Sequence, residues 1–270
     1  MKRKIVRACL LGCLILLMQN SRAIAEMSIT AGIWCNREKS NRVSDAHEDQ
    51  LVRSLRRITG FQRLCFAEDG SLSLGDVTEV AAGSSIARQI IFCAMGSGKS
   101  FIIEDHSDSQ SVFFGQLDEG TDFEDIASKR KLDIWRMRID FEDFREIDAS
   151  PEVRESFDVG FTLLHELLHG VGYKDADSRD EVGEVEGLVN QARAELGLPL
   201  RDQYFGEPLQ ITPQMATVRL RFRKQIKPAA DGHLRRPIQR LHYLFFLLPA
   251  GYRETQATNG MIWLNCGPRR

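Results

Sequence analysis

A chain of 270 residues with 43% apolar and 27% charged residues can bury a sizeable core, which excludes a wholly disordered or fibrous polymer. Its net charge of −2 is the balance of unlike parts: residues 1–25 hold five basic side chains and no acidic ones, residues 26–217 hold 20 basic and 36 acidic ones, and residues 218–270 hold eleven basic and two acidic ones. This division predicts one acidic body of ordinary domain size followed by a basic C-terminal tail.

Residues 1–25 are set apart first. "MKRKIVR" is a basic start, "ACLLGCLILLM" an apolar run, and "AIA" ending at Ala25 a small-x-small cleavage site, the three parts of a secretory signal peptide. "LLGC" at Leu10–Cys13 also fits a lipoprotein box, but five apolar residues follow Cys13, where a mature polar terminus should begin. A retained anchor would need an apolar run of about 18 residues, longer than this one. The expectation is a secreted or periplasmic chain with no transmembrane anchor after processing. Removal of the leader leaves Cys35, Cys65, Cys93 and Cys266, an even set that permits two disulfides in an oxidising compartment and three possible pairings. The segment from Glu26 to about Asn41 is a candidate pro-segment, with Cys35 as its only possible switch.

In chain order, "DAHEDQLVRSLRRITG" sets Leu51, Leu55 and Ile58 at helical spacing and stops at Gly60. "FQRLCFAEDGSLSLGDV" predicts a hairpin around Asp69-Gly70. "SSIARQIIFCAMGSG" predicts a helix capped by Ser84 and ended by Gly96 or Gly98. Three strand-like runs follow, "SFIIEDH", "SVFFGQL" and "LDIWRMRIDF", with the acidic loop "LDEGTDFED" between the last two. A long helix is expected from Ser150-Pro151-Glu152 through "LLHELLHG" to Gly170 or Gly172. Another should run from about Asp180 to Leu196, with Val182, Val185, Val189 and Ala192 on one face. "ATVRLRFR" alternates like an edge strand, and "LHYLFFLLPAGY" is an apolar run too short to cross a bilayer.

The chemistry concentrates in "FDVGFTLLHELLHGVGYKD", Phe157–Asp175. Two imidazoles and a carboxylate in an otherwise apolar helix cost free energy unless something binds or pairs them. His165-Glu166-Leu167-Leu168-His169 fits H-E-x-x-H: residues four apart share a helix face, so both imidazoles can reach one zinc ion. Glu166 can then act on an activated water without joining the metal's ligands. The competing reading is a pair of core histidines satisfied by hydrogen bonds.

"HELLHGVGYKD" resembles the extended zinc motif of metzincin-like metallopeptidases, H-E-x-x-H-x-x-G-x-x-H, over eleven residues. Asp175 stands where the third histidine usually is, the variant of the snapalysin-like secreted bacterial peptidases. The resemblance implies a zinc peptidase of zincin-like α+β fold, a small mixed or antiparallel sheet packed on helices. It assigns His165, His169 and Asp175 as metal ligands and Glu166 as general base, with Gly172 turning the chain at positive φ so that Asp175 returns to the metal. Other third ligands stay open. Glu181, Glu184 and Glu186 lie where gluzincin-type enzymes place one, Tyr204 is similar to the downstream tyrosine of some bacterial effector peptidases, and Asp177 is close by. Met215 in "TPQMA" is the sole candidate for the methionine turn that metzincins carry below the metal.

Weaker signals are read as structural. "GSGKS" at Gly96–Ser100 lacks the first glycine of a phosphate loop, since Cys93 occupies that place. His47, His106, His233 and His242 stand singly, and Trp34, Trp135 and Trp263 are expected packing anchors. Asp118–Asp125 lacks the spacing of a calcium loop. The tail could meet an anionic surface, but no aromatic interleaving supports nucleic-acid binding, and pairing with the acidic body would explain the asymmetry as well. The expectation is therefore a secreted endopeptidase acting on protein or peptide substrates. Its rival is a non-catalytic exported binding protein with a structural metal, or none, on the same helix.

Overall fold

The computed structural model describes residues 31–109, 112–118, 120–125, 130–176, 181–204, 206–211, 215–226, 238–249, 253–256 and 262–265. The expected leader, Asp177, His233 and Cys266 lie outside them. The chain runs through β1 (Gly32–Cys35), α1 (Asp45–Thr59), β2 (Cys65–Phe66), β3 (Leu72–Ser73), α2 (Ser85–Met95), β4 (Lys99–Asp105), β5 (Gly115–Leu117), β6 (Thr121–Asp125) and β7 (Arg130–Ile139). It continues through β8 (Asp148–Ala149), α3 (Pro151–Ser156), α4 (Val159–Gly170), α5 (Gly183–Glu195), β9 (Leu200–Arg201), β10 (Glu207–Ile211), β11 (Met215–Ile226), β12 (Ile238–Pro249), β13 (Arg253–Gln256) and β14 (Ile262–Asn265). The fold is α+β, with helices packed on small sheets.

The first sheet has the order β1-β4-β7-β5. β1, β4 and β7 are parallel, while β5 and β6 both pair antiparallel with β7, β5 against Met137–Ile139 and β6 against Arg130–Ile134. The mixed pairing follows from the connections: α1 and α2 lie between the parallel strands β1 and β4, as a parallel crossover requires, and β5 and β6 fold back on the free edge of β7. The acidic segment expected as a loop thus contains a strand, and its Asp118 pairs with Arg138. β1 pairs along Gly32–Cys35 with β4 and Ile33 is buried, so this part of the candidate pro-segment belongs to the core sheet.

α1 and α2 form as their caps dictate. The Ser44 and Ser84 side chains accept from the backbone N–H groups of His47 and Ala87, and each helix stops at its expected glycine, Gly60 or Gly96. The long helix expected from Pro151 is instead two helices. The chain breaks at Phe157-Asp158, where Asp158 adopts extended backbone angles and its carboxylate accepts from Phe161 N–H at 3.1 Å. Ser54 Oγ at 2.5 Å and Arg57 Nη2 at 2.6 Å hold the same carboxylate from α1. A capped start fastened to a neighbouring helix outcompetes continuation, because four backbone donors would otherwise lack partners.

α4 is the central element. Phe161, Leu163, Leu164, Leu167 and Leu168 are all at most 2% exposed, and at about 1.5–3 kcal/mol for each fully buried large side chain they hold the helix in the interior. Ile58 of α1, Phe101 of β4, Val189 of α5 and Met137 of β7 belong to the same cluster.

The second sheet has the order β10-β11-β12-β8, with β9 also on β11. β11, expected as an edge strand, is interior, and "LHYLFFLLPAGY" supplies most of β12, which pairs with β11 from Met215↔Pro249 to Ile226↔Ile238. The expected boundary after residue 217 falls within β11. Val218, Leu220, Phe222, Leu244 and Phe246 face the core. Basic side chains of β11 meet acids of the body: Arg219 with Glu207 at 2.5 Å, Arg221 with Asp202 at 2.6 Å, Arg223 with Asp202, and Lys224 with Glu152 at 3.0 Å. Charge asymmetry along the sequence becomes, for these residues, pairing in space.

Cys35 and Cys65 are free thiols, so the two-disulfide expectation does not hold for them. Cys35 points into the apolar core, where burial pushes its thiol far above the usual range.

Candidate metal centre

His165 and His169 lie one turn apart on α4, and the chain leaves that helix through a turn that brings a third group back. Gly172 N–H donates to His169 O at 2.9 Å and Tyr173 N–H to Leu168 O at 3.0 Å. Gly172 has φ +100°, in the region L side chains rarely adopt. Lys174 O then accepts from Glu184 N–H at 3.2 Å and Val185 N–H at 3.3 Å at the start of α5. These contacts fix the chain immediately before Asp175.

The result is a convergence of three groups. His165 Nε2 and His169 Nε2 are 3.2 Å apart, and Asp175 places Oδ2 3.0 Å from His169 Nε2 and Oδ1 3.4 Å from His165 Nε2. Two ligand atoms on one tetrahedral zinc, at bond lengths near 2.0–2.1 Å, should stand roughly 3.3 Å apart, so this donor set fits a zinc-sized cation. Among the described residues this is the one group of three His, Cys, Asp or Glu side chains with such convergent ligand atoms.

The far nitrogens explain the orientation. His165 Nδ1 lies 3.2 Å from Glu186 Oε2, and His169 Nδ1 lies 3.2 Å from the Tyr173 carbonyl. Each Nδ1 therefore has an acceptor for its proton, which leaves each Nε2 as a lone pair aimed at the other and at Asp175. Three acceptors turned inward repel unless a proton or a cation sits among them. Burial alone would lower the His165 pKa, yet the Asp175 and Glu186 carboxylates overcome it and push it up to about 10. Burial alone would raise that of Asp175, and the two imidazoles hold it far below the usual carboxylate range. The site is built to attract positive charge.

Glu166 is 5% exposed and burial raises its pKa, against the pull of His165 and His169. Leu117 N–H of the edge strand β5 donates to its carboxylate, while Oε2 is buried and has no hydrogen-bond partner among the described residues. A buried acceptor left open next to a cation site is suited to take a proton from a small polar guest. Gly115 of β5 passes directly over it: a Cβ there would be 3.3 Å from Glu166 Oε1 and 2.4 Å from Thr162 Cγ2.

Of the other third-ligand candidates, Tyr204 adjoins the convergence, its hydroxyl donating a hydrogen bond to the Asp175 carboxylate, while the described acidic ones fall elsewhere. Glu181 and Glu184 are exposed. Glu186 is buried but sits behind His165 on the Nδ1 side. Tyr204 stacks on the His165 ring with centroids 5.7 Å apart and planes within 10°. Burial, followed by the charge of Asp175, raises its phenol well above the usual value. Met215 opens β11 opposite Pro249 rather than occupying a tight turn.

Of the single histidines, His47 stacks on Phe141 and meets Asp105 at 2.5 Å, and His106 lies 3.5 Å from Glu104. In the phosphate-loop look-alike, Lys99 donates to Gly170 O at 2.7 Å at the end of α4 and covers the Trp135 ring at 4.0 Å. Sequence reasoning missed Arg193 and Arg201, whose guanidinium groups both reach Glu186. The signal was present: Glu186 and Arg193 are seven residues apart, so on a helix they share a face, next to the apolar Val185, Val189 and Ala192.

Comparison with protein-family models, with curated proteins and with solved structures gives no match. Among the described residues no helix is long and apolar enough to cross a membrane.

Proposed function

We propose that this chain is a zinc-dependent endopeptidase of the zincin type, exported by its N-terminal leader and acting on protein or peptide substrates. The observation that carries the reading is the inward convergence of His165 Nε2, His169 Nε2 and an Asp175 carboxylate oxygen, with both Nδ1 atoms against acceptors. The resemblance of "HELLHGVGYKD" to the metzincin-like motif supports it, as does the antiparallel strand β5 beside the helix. His165, His169 and Asp175 would hold the ion. Zinc, when bound, polarises a carbonyl and lowers the pKa of water at the site.

The remaining work belongs to the chain. Glu166 takes a proton from the attacking water as its oxygen adds to the peptide carbonyl, then returns that proton to the leaving amine as the C–N bond breaks. Its raised pKa suits both transfers. The free edge of β5 can pair with an extended substrate and set the scissile bond over the helix.

Metal analysis of the purified, processed protein combined with a fluorogenic peptide library tests the reading. The expected result is about one zinc per chain, cleavage abolished by a chelator and restored by zinc, and a Glu166→Gln variant that keeps zinc without turnover. Zinc whose removal unfolds the protein, with no cleavage in any condition, would instead favour a non-catalytic binding protein with a structural metal.

A further inference from the structure

Glu186 is among the most buried charges in the described structure, its side chain 1% exposed beside Arg193 at 2%. A carboxylate in such a place costs several kcal/mol unless every oxygen is engaged. Both are. Oε1 accepts from Arg193 Nη1, and Oε2 faces His165 Nδ1 at 3.2 Å and Arg201 Nη1 at 3.4 Å.

The arginines are themselves fixed. Arg193 donates from Nε to Ser156 O at 2.7 Å and from Nη1 to Asn190 Oδ1 at 2.9 Å, and its guanidinium covers the Phe161 ring at 4.9 Å. Arg201 donates from Nε to Gln203 O at 3.1 Å and from Nη2 to Tyr204 O, and lies over the Tyr204 ring at 5.1 Å. Asn190 closes the group by accepting from Arg201 N–H at 2.8 Å and donating to Arg201 O at 2.7 Å.

This arrangement exceeds what a buried ion pair needs. One arginine would neutralise Glu186, and the second links the carboxylate behind the His165 ring to the backbone of the tyrosine stacked on its face. We propose that Glu186 and Arg201 are positioning residues: Glu186 takes the Nδ1–H of His165 and so fixes the tautomer and ring angle that present Nε2 to a metal, and Arg201 holds Tyr204 against the same ring. The inference rests on the metal-site reading above and adds the residues that set the site's affinity. Outer partners of this kind change metal affinity by about 10–100-fold when removed.

The test measures zinc affinity of the full chain by chelator competition, alongside thermal melts with and without zinc, for the wild type, Glu186→Gln, Glu186→Asp and Arg201→Gln. Glu186→Asp keeps the charge facing both arginines and withdraws it from Nδ1, so it guards against a Gln variant that fails to fold. Affinity should fall about 10–100-fold in the Glu186 variants, and the gain in Tm on adding zinc should shrink in all three. A merely structural role would lower both melts equally and leave that gain unchanged. Folded Glu186 variants with wild-type zinc affinity would overturn this inference alone. A wild-type chain that takes up no zinc would overturn the metal reading and this inference with it.

Discussion

Gly115 on β5 and Glu166 on α4 touch with no room for a side chain between them, since a Cβ at position 115 would fall 3.3 Å from Glu166 Oε1 and 2.4 Å from Thr162 Cγ2. Relieving the Thr162 contact requires that side chain to turn away or the strand to move from the helix. Gly115→Ala should therefore cost about 1–3 kcal/mol through overpacking. Under the proposed mechanism it should also lower peptide turnover roughly 10- to 100-fold, because an error near 1 Å in a reacting group has that effect. Zinc affinity should be unchanged. Steady-state kinetics beside chelator competition separate the two, and equal losses in both would argue against a role for the strand in placing Glu166.

Three alanine variants test Asp175 against the exposed glutamates as third ligand. Asp175→Ala should reduce zinc affinity by more than the roughly 10–100-fold expected for an outer partner. Glu181→Ala and Glu184→Ala, at exposed positions on or before α5, should leave it unaltered. Zinc binding retained by Asp175→Ala would reassign the ligand.

Asp158 carries stability rather than chemistry. Its carboxylate caps α4 and receives Ser54 and Arg57 from α1, so Asp158→Ala should cost about 2 kcal/mol, at the upper end for a lost cap. Urea unfolding reads this as a lower midpoint with an unchanged slope. The folded variant should keep its zinc affinity.

Acid should expose a tie between α5 and α2. Glu195, in the last turn of α5, accepts from Ser84 Oγ and Ser85 Oγ at 2.7 Å and from Ile86 N–H at 3.2 Å at the start of α2. Burial opposes its ionisation, but these donors prevail and hold its pKa below the usual value. A depressed folded pKa means stability present above the unfolded pKa of about 4.3 and lost as pH falls through the folded one. Wild type should melt higher than Glu195→Gln at pH 6, and the gap should close as the pH is lowered past 4 toward 3. A gap independent of pH would mean that the carboxylate's charge is not what matters.

Local signals in the chain were enough for the elements that obey local rules. Ser84, Gly60 and Gly96 bound their helices as expected, and the Asp69-Gly70 hairpin forms between β2 and β3. The positive φ of Gly172 and the return of Asp175 toward the two imidazoles follow from eleven residues of sequence. What escaped was set by distant partners. The break at Asp158 depends on Ser54 and Arg57, about a hundred positions earlier. The interior place of β11 depends on β12, and the role of Glu186 depends on Arg201, which follows the end of its helix. A carboxylate on a helix looks the same in sequence whether it serves as a ligand, as a hydrogen-bond acceptor behind a ligand, or as solvated charge.

The aromatic contacts of the second sheet bear on how far the chain could be shortened. Phe222 of β11 lies 6.3 Å from Phe157, and Phe246 of β12 lies 5.3 Å from Phe114, centroid to centroid. Phe157 immediately precedes the cap of the histidine-bearing helix, and Phe114 immediately precedes the strand that covers Glu166. A product trimmed at residue 217 would strip both rings of these partners and expose them to water. Such a truncation should yield sticky material rather than a smaller folded domain.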